Sequence, residues 1–381
     1  MRNIMILGAS ETQIPFIKIA KEKGYGVIIT DIDKNAPGLK YGDVAINISG
    51  ENKEKILEYA RKFNIEGIIT KTERLLATVA YVNEKLNLRG IRSKAARASI
   101  DKVFLRKCMR ENGIDICKSY QVESLEDVKA ISNKLSYPVV MKPIDGGGSR
   151  GVVRINSKNE LEKNFDYCMT YSREKKLIIE DFIDGKACSV ELITQNGHTH
   201  VIAVSEGITS GSPYFVETQH LIPANFSINI LKQIEDMCIK TLKAVEVDNA
   251  VSFFDMRITK NGPIVIEIAA RFAGDYICTD LIKLATGIDM YESLINIVMG
   301  EEVSHKNKFN KYAVVKFITK FNYENAIKNH KSIIQDDNYV KHEYYNRTNV
   351  SGLFNSSDRL GYYIFNAENR ESLLKSLSLI D

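Results

Sequence analysis

Alternation of strand-like and helix-like segments in the first 95 or so residues constrains the fold more than any other feature of this chain. Short apolar runs alternate there with stretches of helical spacing, as in proteins whose strands are joined by helices. Because parallel strands need such crossovers, this order predicts a doubly wound parallel sheet of the α/β class. The strand-like runs are residues 4–7, 27–30, 44–46 and 67–70, and the helix-like stretches are 14–23 and 53–63.

The turn after the first strand, Gly8-Ala9-Ser10, does not have the spacing of a dinucleotide-binding loop. The motif G-x-G-x-x-G would need glycine where Ser10 and Gln13 stand. We therefore interpret the turn as a tight strand-to-helix connection. The turn could still hold part of a substrate at the strand ends.

Charge and composition narrow the class of protein. Lysine and arginine total 52 residues and aspartate and glutamate 48, so the net charge is +4, and the basic residues form no long run. The six cysteines lack the spacing of a zinc site, no apolar stretch has the length of a membrane span, and the first residues lead directly into a strand. We expect a cytoplasmic protein of two or three domains that binds neither nucleic acid nor a membrane.

From about residue 100 the pattern changes to strands joined by tight turns. Asn196-Gly197 and Asn261-Gly262 each lie between two strand-like runs, which predicts two antiparallel hairpins. Antiparallel strands with separate helices are typical of an α+β region. The paired runs are 189–193 with 201–204 and 253–258 with 264–268, and helices are expected at 101–111, 121–135 and 228–245.

A lysine stands near the end of the strand-like run 137–143, directly before a glycine-rich segment, 145–151. Lys142 and the free backbone N–H groups of such a segment suit the phosphates of a nucleotide. A strand resumes at 152–155, so the glycines link two strands, whereas those of a P-loop lead into a helix. The alternative is a surface hairpin tip without a ligand.

Glu180 and Asp181 form an acidic pair at the end of an apolar strand, followed by Phe182 and Ile183. A purine could bind to the peptide groups of such a strand, with the phenyl or aliphatic side chain as an apolar wall. Taken alone, the segment also fits an ordinary strand end.

Asp255 and Glu267 each lie within a largely apolar strand, with Asn261-Gly262 midway between them. The hairpin would bring the two carboxylates together if they share a face. Two like charges at close range are unfavourable unless a cation lies between them, and Mg²⁺ prefers such oxygen ligands. The alternative is a pair of surface acids, which the apolar surroundings disfavour.

Arg271 follows Glu267 by four residues and could stabilise charge on a phosphoryl group during transfer. An ordinary salt-bridge arginine is the alternative. Glu217 and His220 lie in a polar, loop-like stretch, where the histidine is a candidate catalytic residue, although a lone histidine is more often structural.

Together, and in this order, these segments resemble the ATP-grasp superfamily of carboxylate-amine ligases, most clearly between Ser99 and Glu301. The run from Ser99 to Lys102, followed by Arg106, resembles the first nucleotide-binding lysine segment of the family, and Tyr137 to Pro143 resembles the second. The glycine-rich segment resembles the loop that closes over the phosphates. The resemblance implies ATP-binding roles for Lys102, Lys142, Gly147, Gly148, Ser149, Gly151, Glu180, Asp181, Phe182 and Ile183, metal-binding roles for Asp255 and Glu267, and a catalytic role for Arg271.

Within the superfamily, the chain is most similar to the bacterial L-amino acid ligases. The resemblance rests on Glu217-x-x-His220 and on the segments 273–276, 284–289 and 357–362. It implies that Glu217 is a further metal ligand and that His220 is a residue of the substrate site.

The resemblance also implies an architecture and a chemistry. An N-terminal Rossmann-like domain (1–95) would precede the ATP-grasp domain (96–303, with a nucleotide lid at roughly 137–205) and a small C-terminal α+β unit (304–381). The enzyme would use ATP with Mg²⁺, or with Mn²⁺, to join a small-molecule carboxylate to an amine through an acyl phosphate. A homodimer is the common default for such a protein.

Three positions depart from the family pattern. Ala269 stands where many members have a metal-binding Asn, and Ala187 where several have a ribose-binding Glu, with Asp184 as a candidate substitute. Asp255 stands where Glu is usual. Two other readings therefore stay open: an ATP-grasp ligase or carboxylase of purine or carbamoyl phosphate metabolism, and a non-catalytic ATP-binding protein.

Overall fold

The computed structural model describes residues 1–114, 117–347 and 350–381. Its first unit is a four-stranded parallel sheet with the strand order β3-β2-β1-β4, so the predicted parallel sheet is confirmed. Among the described helices, none combines the length and the apolar character needed to cross a bilayer. The elements of this unit are β1 (Asn3–Leu7), α1 (Ile14–Glu22), β2 (Gly26–Asp31), β3 (Val44–Asn47), α2 (Lys53–Lys62), β4 (Ile65–Thr70), α3 (Leu76–Leu86) and α4 (Ser93–Ile100).

A second four-stranded sheet, which we call the lid sheet, follows helix α5 and has the order β5-β8-β6-β7 with antiparallel neighbours. One face is covered by two helices, and the buried core between them is apolar. The elements are α5 (Lys102–Glu111), β5 (Ser119–Val122), α6 (Leu125–Ser132), β6 (Val139–Pro143), β7 (Val153–Ile155), α7 (Lys158–Thr170) and β8 (Leu177–Asp181).

The helix expected at 121–135 was predicted too long. Gln121 lies on β5, where it pairs with Ile178 of β8, and the helix begins only at Leu125. Ser124 is the reason, because its extended backbone and its hydroxyl, which accepts from the Asp127 N–H, form a helix N-cap.

The third sheet has eight strands in the order β13-β12-β9-β10-β11-β14-β16-β15. Both predicted hairpins are present in it, as β9–β10 and β12–β13. The elements are β9 (Lys186–Gln195), β10 (His198–Thr209), β11 (Glu217–Ile222), α8 (Ile228–Ala244), β12 (Ala250–Thr259), β13 (Gly262–Ala269), α9 (Ile282–Thr286), α10 (Met290–Met299), β14 (Tyr312–Ile318), α11 (Tyr323–Lys328), α12 (His330–Ile334), β15 (Tyr339–Tyr344), β16 (Gly361–Ala367) and α13 (Arg370–Leu377).

Two features of the packing position the site. Strand β14 pairs with β11, so the eight-stranded sheet runs without interruption from the central residues into the C-terminal ones. One apolar core joins the N-terminal sheet to the eight-stranded sheet, with Phe16 of α1 packed edge-on against Phe272 at a ring-centroid distance of 5.6 Å. Side chains from all parts of the chain can therefore reach one cleft, and the domain boundaries at 95 and 303 stay predictions.

Candidate active site

A cavity of about 330 Å³ lies between the lid sheet and the eight-stranded sheet. Most of the residues that the sequence singled out line it. Gly151 and Asp184 do not, so their ATP-binding roles rest on the resemblance alone. The predicted residues on its wall are Lys102, Lys142, Gly147, Gly148, Ser149, Glu180, Asp181, Phe182, Ile183, Glu217, His220, Asp255, Glu267 and Arg271.

Asp255 and Glu267 are directly opposite each other in the β12–β13 ladder; the hairpin brings them together as expected, and a register shift between Asp255 and Met256 makes the pairing direct. Burial and the nearby carboxylates of Glu267 and Glu217 raise the pKa of Asp255 well above its ordinary value. Lys102 offsets only part of the negative charge of these carboxylates, with its Nζ 3.2 Å from Oε2 of Glu267. The pair is therefore a fitting place for a cation.

The protein alone does not provide a complete metal site. Among the described residues, no three His, Cys, Asp or Glu side chains are grouped closely enough to hold an ion. Mg²⁺ commonly takes one or two carboxylates and completes its shell with water and nucleotide phosphates. Asp255 and Glu267 fit that mode of binding.

Lys142 is held by a buried acid that the sequence associated with the nucleotide base. Its Nζ lies 2.6 Å from Oε2 of Glu180, and Arg106 of α5 donates from Nε to Oε1 at 2.6 Å. Burial alone would raise the pKa of Glu180, but the two cations outweigh it and lower the pKa to about 2. Both oxygens of the Glu180 carboxylate are therefore bound by cations of the protein itself, Arg106 and Lys142. Arg106 was not assigned a role from sequence, because its partner is 74 positions away.

The glycine-rich segment is docked across the cavity onto the C-terminal part of the chain. The Gly148 carbonyl accepts from the backbone N–H and the hydroxyl of Ser356, at 3.3 and 3.1 Å. Ser149 donates its hydroxyl to Glu217 at 3.4 Å. Gly148 has φ +67°, a conformation that favours glycine, and an added Cβ would lie 2.8 Å from the Ser356 hydroxyl.

Two aromatic side chains, Phe182 and Phe215, form part of the cavity wall, which we call the aromatic wall. Phe182 packs against Phe215 at a centroid distance of 5.5 Å, and the Arg154 guanidinium lies 4.4 Å from the Phe182 ring. Phe215 lines the cavity although it was not predicted to do so. Flat apolar surfaces of this kind suit a purine ring.

Arg271 lies just after β13 on the cavity wall and is held by the N-terminal unit. Its Nε lies 3.0 Å from Oε2 of Glu73, in the segment after β4, and its Nη1 donates to the Phe272 carbonyl at 2.7 Å. The guanidinium lies 4.9 Å from the centroid of the Phe253 ring. Arg271 is thus fixed on the cavity wall. No local pattern in the sequence indicated Glu73.

His220 belongs to a polar network that the sequence showed only in part. Its Nε2 lies 3.4 Å from Oδ2 of Asp275, and Asp275 is held bidentately by Arg359 at 2.7 and 2.8 Å. Arg359 also donates to the Glu217 carbonyl at 3.1 Å. Asp275 and Arg359 both lay in segments that carried the family resemblance, which was the only signal for them.

The position of Ala187, where a ribose contact was expected, is also part of the cavity wall. Arg257 of β12 and Gly207 of β10 are its neighbours across the two adjoining strands, and both line the cavity. Arg257 is therefore better placed than Asp184 to contact a ligand there.

Residues 135–280 match the ATP-grasp domain family. The chain is 27% identical over 269 residues to alanine–anticapsin ligase of Bacillus subtilis (strain 168), covering 64% of this chain and 56% of that protein. It is 28% identical over 256 residues to a formate-dependent phosphoribosylglycinamide formyltransferase of Bacteroides fragilis, covering 64% of each. The chain thus spans between about half and two thirds of the length of these curated relatives.

The crystal structure of L-amino acid ligase from Bacillus licheniformis aligns with the whole chain. The TM-score is 0.82 at 20% sequence identity, over 100% of this chain and 97% of that one. At this identity the likeness concerns the fold, and it confirms the ATP-grasp architecture predicted from the sequence.

Proposed function

We propose that this chain, which contains an ATP-grasp domain, is an ATP-dependent carboxylate-amine ligase that releases ADP and phosphate. The observation that carries the proposal is that two lysines and two paired carboxylates, Lys102, Lys142, Asp255 and Glu267, line one cavity. Cations for phosphate oxygens and acids for a divalent metal are what binding of ATP with Mg²⁺ requires.

The nucleotide would lie along the cavity with its base at the aromatic wall. Phe182, Ile183 and Phe215 offer apolar surfaces for the purine, and Lys142 and Lys102 line the same cavity as the paired acids. The backbone of 147–149 would cover the phosphates. Closure of this segment would keep water from a reactive intermediate.

Asp255 and Glu267 would hold Mg²⁺, or Mn²⁺. Glu217 lines the same cavity, but among the described residues it is not grouped closely enough with the pair to be a third ligand, so its metal-binding role rests on the resemblance. When bound there, the metal would neutralise charge on the phosphate oxygens that it shares with the lysines. The neighbouring carboxylates that help to raise the pKa of Asp255 leave the site with an excess of negative charge, which supports this assignment.

The reaction would have two steps. An oxygen of the substrate carboxylate bonds to the γ-phosphorus of ATP, ADP leaves with the electron pair of the broken P–O bond, and Arg271 stabilises the charge on the phosphoryl group. The amine nitrogen then bonds to the acyl carbon, phosphate leaves with the electron pair of the C–O bond, and the nitrogen loses a proton. His220 lines the same cavity and is the candidate catalytic residue of the substrate site.

Amino-acid-like substrates are our first choice. The name of the Bacillus subtilis relative includes alanine, and the aligned structure is that of an L-amino acid ligase. A purine-pathway ligase is the second candidate, supported by the similarity to the Bacteroides fragilis formyltransferase. We further propose a cytoplasmic location, because all six cysteines are free. A homodimer stays a proposal.

A phosphate-release screen tests the function. The protein is incubated with ATP, Mg²⁺ and amino acids, singly and in pairs, and the products are analysed by mass spectrometry. We expect ADP formation and a new amide that requires two amino acids. ADP formation only with a purine precursor or bicarbonate would favour the second candidate, and nucleotide binding without phosphate release under any combination would indicate a non-catalytic protein.

A further inference from the structure

The two ring nitrogens of His220 have different surroundings. Nε2 lies 3.4 Å from a carboxylate oxygen of Asp275. Nδ1 is buried and has no hydrogen-bond partner among residues 1–114, 117–347 and 350–381. The ring as a whole lines the cavity. A ring nitrogen without a protein partner has its bonding capacity free for a group in the cavity.

The space beside Nδ1 is bounded by a residue without a side chain. Gly207 is the partner of His220 across the β10–β11 ladder and also lines the cavity. A Cβ added to Gly207 would lie 3.7 Å from Nδ1, in ordinary contact with it. The glycine therefore leaves beside the buried Nδ1 a gap of about the size of the missing methyl group.

Asp275 is kept in place and ionised by Arg359. The guanidinium donates to both carboxylate oxygens at 2.7 and 2.8 Å and is itself buried against the Phe317 ring at 3.7 Å. Burial alone would raise the pKa of Asp275, but Arg359 and His220 outweigh it and hold the pKa below its ordinary value. An ionised carboxylate can only accept hydrogen bonds, so it selects the histidine tautomer that carries its proton on Nε2.

We propose that Asp275 is a positioning residue that fixes the Nε2–H tautomer of His220, so that the Nδ1 lone pair accepts the proton which the attacking amine loses. The inference rests on the proposed function and deepens it. In the second step the amine nitrogen bonds to the acyl carbon, the C–O bond to phosphate breaks with its electron pair on phosphate, and the N–H proton passes to Nδ1. Arg359 also contacts Glu217, at its backbone carbonyl at 3.1 Å and at its carboxylate at 3.8 Å, so a further charged group adjoins the network.

A choice of nucleophile separates this role from a structural one. An amino acid amine must lose its protons to react, whereas hydroxylamine is largely unprotonated at neutral pH and depends much less on a protein base. Both trap the same acyl phosphate, as an amide and as a hydroxamate. The experiment measures both products for the wild type, Asp275→Asn and His220→Gln with ATP, Mg²⁺ and one amino acid as the acid substrate.

We expect both variants to lose amide formation by about a hundredfold or more, as for removal of a general base, while hydroxamate formation stays within a few fold of wild type. Asparagine keeps the size of Asp275, and it tolerates the left-handed backbone at this position, φ 52°. Asp280→Asn is the matched control, because Asp280 belongs to the same segment but pairs with Lys341 at 2.7 Å outside the cavity. It should form both products at wild-type rates.

The results that would overturn the inference are distinct from a failure of the proposed function. Equal loss of amide and hydroxamate in Asp275→Asn would mean that Asp275 supports the fold or substrate binding, and equal retention would mean that it has no role. If Asp275→Asn does not fold, His220→Gln decides. Equal loss of amide and hydroxamate in that variant would mean that His220 is not the base that Asp275 is proposed to orient. If the wild type forms neither product with any acid, the ligase function itself is wrong.

Discussion

Arg106 of α5 and Glu180 of β8 form a buried, two-pronged ion pair with 2.6 Å between Nε and Oε1 and 3.3 Å between Nη2 and Oε2. The same guanidinium donates to the carbonyl of Ile266 at 2.7 Å, next to the metal candidate Glu267. The same carboxylate accepts from Lys142. One ion pair therefore supports both a phosphate-binding lysine and the strand of the paired acids.

Replacing Arg106 by Met should strongly destabilise the protein. Glu180 would keep Lys142 but lose both hydrogen bonds from the guanidinium, and the Ile266 carbonyl would lose its donor. Hydrogen bonds to charged groups contribute about 1.5–3 kcal/mol each. The free energy of unfolding from urea titration measures the effect. Lys107→Met is the control, since Lys107 is exposed on the same helix, and it should change stability by no more than about 0.5 kcal/mol. An Arg106→Met protein as stable as the control would contradict a structural role for the pair.

Replacing Arg271 by Ala should lower turnover by roughly two or more orders of magnitude, because a charge-stabilising group is lost from the reacting phosphoryl. The measurement is ADP release that depends on both substrates. Arg74→Ala is a suitable control, because Arg74 is exposed in the same region and pairs with Glu51. Near-native, amine-dependent ADP release by Arg271→Ala would exclude the assigned role.

Replacing Asp255 by Asn should have opposite effects on stability and on metal use. The free protein should become more stable, because on folding Asp255 must either take up a proton or carry a buried charge beside Glu267, and asparagine does neither. The Mg²⁺ concentration for half-maximal activity should rise by tenfold or more, since one of two protein ligands is lost. Thermal melting and Mg²⁺ titration of activity give the two values, with the exposed Asp236→Asn of α8 as control. Loss of stability without a change in Mg²⁺ dependence would argue against a metal at this pair.

Glu191 should make stability depend on pH above the acid range. It is buried on β9 and accepts from the Cys278 thiol, and burial raises the pKa of its carboxyl from an ordinary 4.5 to about 8. Between these values the folded protein holds a proton that the unfolded chain has lost, so stability decreases as pH rises, by about 1.4 kcal/mol per pH unit.

The Glu191→Gln variant isolates this contribution. Glutamine keeps the shape of the side chain and does not titrate, so the stability of the wild type relative to the variant should fall steadily between pH 5 and 8. Urea unfolding at a series of pH values provides the comparison. A constant difference across that interval would mean that Glu191 ionises normally in the folded protein.

Replacing Ser356 by Ala should weaken the closed position of the glycine-rich segment. One hydrogen bond to the Gly148 carbonyl is lost, at 3.1 Å, and the backbone bond from Ser356 stays. A single hydrogen bond contributes about 1 kcal/mol, which corresponds to a roughly fivefold weaker closure and a higher KM for ATP. Ser351→Ala is the control, on an exposed residue of the same part of the chain. An unchanged KM for ATP would show that this contact does not hold the segment over the nucleotide.

Local patterns in the sequence were sufficient for the elements and for the residues whose chemistry is local. The Asn261-Gly262 signal predicted the hairpin that brings Asp255 near Glu267, whereas their direct pairing depends on a register shift between Asp255 and Met256 that the sequence did not indicate. Lys142 and the glycines that follow it are neighbours in the chain. The alternation of strands and helices likewise required the parallel N-terminal sheet.

Contacts between distant segments were decided only by the tertiary structure. Strand β5 was mistaken for the start of a helix, because its hydrogen-bond partners lie on β8, more than 50 positions later. Glu73 meets Arg271 across 198 positions, and Arg359 meets Asp275 across 84. An ion pair between segments leaves no periodic trace in either one, because each partner satisfies only its own local pattern. Sequence therefore determined which groups the site contains, whereas the packing of the three sheets determined which of them are held, paired or left open to a ligand.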